Sequence, residues 1–174
     1  GNLILLLPEI SFKMGETAFL DKRNIRLELP LSASLDSLKL SLQKAKLALE
    51  NHEIVLTGEA QYCENKDIAM NVDFLTNKWV ISEVLPLVPS EYASFLDGIE
   101  VDGELFLQGN VSGFYNDSLF PKIAADLLLE NGKGCYDGLP YRLREVFANL
   151  SADIDLNAGA ISSATIKNLS AKTG

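Results

Sequence analysis

The stretch Ile99-Glu100-Val101-Asp102-Gly103-Glu104-Leu105-Phe106-Leu107-Gln108-Gly109-Asn110-Val111-Ser112-Gly113 decides the fold. Its odd positions carry Ile99, Val101, Leu105, Leu107 and Val111; its even ones carry Glu100, Asp102, Glu104, Gln108, Asn110 and Ser112. Only a strand has a side-chain period of two, so one face of this segment is apolar and the other wet. Gly103, Gly109 and Gly113 fall on the apolar parity, where they leave gaps or let the strand bend. Unbroken, the segment spans roughly 50 Å at ~3.3 Å per residue. Strands of that length predict an extended sheet and not a compact sandwich.

Working outward, the same alternation recurs. Toward the N-terminus, Ile25, Leu27, Leu29, Leu31, Ala33 and Leu35 alternate with polar residues, interrupted at Pro30, which belongs on an edge or at a bulge. Leu38, Leu40 and Leu42 give way to Ala45, Leu47 and Leu49, a change of phase that predicts a bulge near Gln43-Lys44. Glu50-Asn51-His52-Glu53 reads as a hairpin turn in which Asn51 supplies the unusual backbone. Ile54, Leu56, Ala60 and Tyr62 form the return strand, and Ile68, Met70, Val72 and Phe74 the next. Toward the C-terminus come Ile123, Ala125, Leu127 and Leu129, an expected turn at Asn131-Gly132, another at Asp137 to Pro140, then Val146 to Leu156 and a final strand around Ile166.

One region breaks the pattern. Trp79, Val80, Val84, Leu87 and Val88 recur at helical spacing, with Thr76 or Asn77 as the expected cap. A second short helix is expected from Pro89 to Leu96, closed by Gly98. The fold class is therefore mainly β: a long, curved, mostly antiparallel sheet of nine or ten strands, a groove or half-barrel, with two short helices near residues 77–97.

Composition excludes some functions. Lys and Arg total 15 against 24 Asp and Glu, a net charge of −9, so no nucleic-acid partner is expected. The wholly aliphatic run Leu3 to Leu7 is far shorter than the ~20 residues of a membrane-spanning helix. Chemistry-bearing residues are few. His52 is the single histidine and is expected exposed in a turn. Cys63 and Cys135 lie far apart without metal-ligand spacing, and read as inert, half-buried thiols. The acidic rows Glu100/Asp102/Glu104 and Asp153/Asp155 read as a solvated strand face. No catalytic residue, cofactor or metal site is expected, and the chain reads as a non-enzyme.

Leu85-Pro86-Leu87-Val88-Pro89, Phe95-Leu96-Asp97-Gly98-Ile99 and Asp102 to Gly113 together resemble the bacterial AsmA family, relatives of TamB and other long β-groove proteins. Leu119-Phe120-Pro121-Lys122-Ile123, Leu127 to Gly134, Leu139-Pro140, Gly58-Glu59-Ala60 and Ser162-Ser163-Ala164 continue the likeness, which covers roughly residues 27–169. The resemblance implies a Gram-negative envelope protein with its bulk in the periplasm, held to the inner membrane by an anchor outside this sequence. The chain would be one β-rich segment, residues 1–174, of a larger protein of outer-membrane biogenesis. Its partners would be phospholipid acyl chains lying along an apolar trough, lined by Ile99, Val101, Leu105, Leu107, Val111, Ile123, Ala125, Leu127 and Leu129. The alternative is an extracytoplasmic β-sheet module that docks an envelope protein through a sheet edge.

Overall fold

A computed structural model describes residues 2–14, 17–34, 38–63, 66–87, 98–138, 140–155, 157 and 160–173. The strands are β1 (Asn2–Met14), β2 (Thr17–Ser34), β3 (Lys39–Leu49), β4 (His52–Tyr62), β5 (Ile68–Thr76), β6 (Trp79–Val80), β7 (Ile99–Tyr115), β8 (Lys122–Tyr136), β9 (Leu143–Asp155) and β10 (Ala160–Thr173). They form one open antiparallel sheet in the order β1-β2-β3-β4-β5-β7-β8-β9-β10, with β6 beside β7. The order follows the chain because turns let each strand pair with its predecessor, except that β7 joins β5 across the longer segment that carries β6. The sheet does not close into a barrel; β1 and β10 remain its edges.

The registers put most of the apolar residues on one face, although Ile4, Leu6, Val55, Leu75, Phe106 and Leu128 lie on the other. Leu105 pairs with Leu129, Leu107 with Leu127, and Val111 with Ile123. Ile123, Leu127 and Leu129 pair onward with Ile154, Leu150 and Ala148. On the other side Val111 pairs with Val72, Val72 with Gly58, and Phe74 with Leu56. Leu56 and Ile54 then pair with Ala45 and Leu47, Leu47 with Leu27, and Leu27 with Leu5. Paired residues share a face, so the apolar side runs unbroken from β1 to β10.

Bulges keep that face in phase. Lys44 has φ 59° where β3 slips between Leu42 and Ala45, the position that the change of alternation predicts. Pro30 lies in an interior strand, beside the register shift between Glu28 and Leu31 where its missing N–H is tolerated. Asn131-Gly132 is not a turn, as expected, but a second bulge inside β8, with Asn131 at φ 52°. The extra residue is absorbed in the ladder and β8 runs on to Tyr136. In the β3–β4 hairpin Glu50, not Asn51, takes the positive φ.

The expected first helix is also corrected. Trp79 and Val80 form a strand on Leu105 and Glu104, and only Ile81–Val84 (α1) is helical, followed by a 3-10 turn at Leu85–Leu87. The cause is a competing partner. Thr76 does not cap a helix, because its Oγ1 accepts the N–H of Leu107 at 2.8 Å and ties β5 to β7. The expected second helix, 89–96, lies outside the described residues.

Candidate functional site

The apolar face is the feature with most functional content. Apart from α1 on β6 and β7, the main packing among the described residues is between neighbouring strands. No second layer of the described chain covers the face, and its side chains are covered mainly by one another. Leu29, Leu42 and Ala45 are buried, with Leu27, Leu40, Leu56 and Val72 packed around them. Most of the rest are half-buried, and no large side chain is fully buried among the described residues. Toward the edges the face opens further, to 39% exposure at Leu3 and 62% at Ile166 and Leu169. A conventional domain buries such a face against another element; this one leaves it half open to solvent.

Of the residues expected to line a trough, Val101, Leu105, Leu107, Val111, Ile123, Ala125, Leu127 and Leu129 all lie on this face and are half-buried. Ile99 pairs with Tyr136 at its end; its side chain lies outside the described set. Where β7, β8 and β9 bulge together, Val101, Leu129, Gly132, Tyr136, Leu143 and Val146 surround a depression of about 200 Å³. Gly132 and Gly134 contribute no side chains to fill it. A larger depression, about 680 Å³, adjoins the same strand ends among Glu100, Lys133, Arg142, Arg144 and Glu145. Its mixed charges select no ligand, so volume alone is a poor guide here.

The opposite face carries Val55, Leu75, Phe106 and Leu128 but is otherwise largely polar, with many of its charges paired. Lys39 pairs with Glu59 at 2.6 Å, Lys46 with Glu53 at 3.2 Å and Lys78 with Glu104 at 2.5 Å. Asn110 Nδ2 donates to Asn71 Oδ1 and Asp73 Oδ1, each at 2.8 Å. Asp126 accepts from Lys167 Nζ at 2.6 Å and from the Ser151 hydroxyl. The acidic rows are part of this network: Glu104 also accepts from Asn131, Asp153 from Ser163, and Asp155 from Asn157 and Lys122. The hydrogen bond from Lys78 holds Glu104 below its ordinary pKa; those from Lys167 and Asn157 do the same for Asp126 and Asp155. Carboxyls so held stay ionised near neutrality and are poor general acids. Among the described residues no cluster of His, Cys, Asp and Glu has the geometry to hold a metal.

The cysteines are free and half-buried, Cys63 just after β4 and Cys135 near the C-terminal end of β8. Cys135 Sγ donates to Glu100 Oε2 at 3.0 Å, and this bond raises the thiol pKa, which suppresses the reactive thiolate.

The expectation for His52 fails. It is 6% exposed, the first residue of β4, on the same parity as Ile54 and Leu56. Continuing that alternation back by one pair identifies it as inward-facing; the turn reading hides this. Its ring meets Trp79 edge-on at 5.2 Å. Both ring nitrogens and the Trp79 Nε1 are buried without a hydrogen-bond partner among the described residues. Glu83 Oε2 stands 3.9 Å from His52 Nε2, beyond hydrogen-bonding reach. An unpartnered buried polar group costs about 1–3 kcal/mol in lost solvation, so this corner of the apolar face is less favourable than its apolar surroundings.

Comparison with family models, with curated proteins and with solved structures finds no match to this chain. The functional reading therefore rests on the sheet itself.

Proposed function

We propose that this chain is a lipid-carrying segment of an AsmA-like envelope protein, acting without catalysis. The observation that carries the reading is the continuous apolar face, nine strands wide, that no second layer covers among the described residues. Acyl chains are the ligand whose chemistry such a surface fits: they are long, they lack polar atoms to satisfy, and burying them removes apolar area on both sides from water. The largely polar reverse face, with its paired charges, suits a segment that stands in water. In this reading the protein works in the periplasm, is anchored to the inner membrane by a segment outside this sequence, and contributes to phospholipid movement in outer-membrane biogenesis.

Native mass spectrometry of protein purified from membrane-containing lysate tests the proposal. Phospholipid should co-purify, and Leu105→Asp with Leu127→Asp should abolish it while the sheet remains folded by circular dichroism. Protein that is consistently lipid-free, or lipid retention in the double variant, contradicts the reading.

A second reading is favoured by the two free edges. An open sheet presents unpaired backbone donors and acceptors along β1 and β10, which an extended segment of an envelope protein can extend by strand addition. Proline substitutions on an edge strand that abolish partner capture, with lipid content unchanged, would select it.

A further inference from the structure

The segment from Trp79 to Leu87 crosses one rim of the apolar face. It starts on β7, where Trp79 and Val80 pair with Leu105 and Glu104. It passes β4, where Glu83 stands over His52, and reaches β2, where Arg23 Nη2 donates to the Pro86 carbonyl at 3.0 Å. Among the described residues it is held by a two-residue strand, by the packing of the uncapped four-residue α1 on β7 and of Trp79 on His52, and by that hydrogen bond.

What lies beneath explains why the grip matters. Among the described residues, His52 Nδ1, His52 Nε2 and Trp79 Nε1 are all buried and have no hydrogen-bond partner. Covering them removes water and supplies nothing in return; uncovering them restores a hydrogen bond to each. The covered state is thus penalised at the place where the strap sits, although the rings pack against each other. Lifting the strap would also extend the apolar face past Ile54 and Leu49 to the rim, since His52 pairs with Leu49 on the same side.

We propose that Trp79–Leu87 is a displaceable cover that lifts from the rim to admit an acyl chain. This rests on the lipid-carrying reading and adds a point of entry to it. The three unpartnered nitrogens keep the cover from closing too firmly.

Trp79 is the single tryptophan, so its fluorescence reports the strap directly. Acrylamide quenching would be measured with and without monomeric lysophosphatidylcholine, whose binding is followed separately by native mass spectrometry. Quenching should rise at least twofold as the lipid binds. His52→Leu keeps apolar bulk under the strap and removes two unpartnered nitrogens; it should slow lipid uptake about tenfold and reduce quenching in the free protein. Lipid binding with unchanged Trp79 quenching in the wild-type chain overturns the cover, as does unaltered uptake in a folded His52→Leu variant. Absence of lysophosphatidylcholine binding at any concentration overturns the lipid-carrying reading itself, and the cover's role with it.

Discussion

Phe74 on β5 packs its ring against Gly109 on β7, its register partner on the apolar face. A Cβ at residue 109 would sit 2.5 Å from the ring's Cζ and 2.1 Å from the Ala124 carbonyl oxygen. The second of these is backbone and cannot swing aside. The glycine's backbone is ordinary at this point, so the constraint is one of space alone.

Gly109→Ala should therefore destabilise the sheet by about 1–3 kcal/mol, the usual range for overpacking. Urea unfolding followed by circular dichroism measures it. Phe74→Leu in the same chain should recover only part of the loss, because the Ala124 contact remains. Full recovery would mean that the ring, and not the backbone, sets the limit.

The bulge at Lys44 makes a second, opposite case. A side chain at φ 59° is tolerable for an unbranched residue and unfavourable for a β-branched one. Lys44→Val should lower stability by about 1–2 kcal/mol, and Lys44→Gly should leave it unchanged or raise it slightly. Equal midpoints for the two variants in urea would show that the bulge is not conformationally demanding.

These two positions mark what could be read in the sequence. Alternation identified most of the strands from Ile25 onward, their shared apolar face and the Lys44 bulge, because each is a consequence of period two along a single strand; it missed β1, whose Leu3 to Leu7 run is apolar on both parities, and β6. Asn131-Gly132 looked like a hairpin because the local preference for positive φ is the same in a turn and in a bulge; only pairing on both sides of β8 decides between them. Thr76 looked like a helix cap because its partner, the Leu107 N–H, is 31 residues away. His52 is different: its inward side follows from the alternation with Ile54 and Leu56, and only its cover by Trp79 and α1, which reach it from elsewhere in the chain, is not local. Local patterns were legible; contacts made by the strap were not.

Acid should weaken the polar face in a defined direction. Asp126 and Asp155 have folded-state pKa values below their ordinary 3.8, and Glu104 below its ordinary 4.5. A depressed carboxyl stabilises the fold at pH values above its unfolded pKa, and that contribution is lost as pH falls through the folded value. Stability should be flat from neutrality to about pH 5 and decline below it. These groups are only half-buried, within reach of solvent, so the decline should be shallow and weaken further in high salt. Lys167→Met, which removes the main cause of the Asp126 shift, should reduce the slope between pH 4 and 2.5 in urea midpoints; an unchanged slope would show that the pair contributes nothing.

The β10 edge supplies the last prediction. Ile166 and Leu169 lie on the apolar face, each 62% exposed, on a strand whose outer side has no partner among the described residues. A long, flat, apolar edge is a template for pairing with another chain, and inward-pointing charges are the usual protection against it. β10 carries Lys167 and Lys172, but both are spent on Asp126 and Glu145, within the sheet. The isolated chain should therefore self-associate in a concentration-dependent way. Ile166→Lys with Leu169→Lys should shift it toward monomer in sedimentation velocity, while changing the urea midpoint little, since exposed positions typically contribute within about 0.5 kcal/mol. Monomeric wild-type protein at high concentration would refute this. Association that survives the double substitution would move the contact to β1, where Leu3, Leu5 and Leu7 present the same face at the other edge.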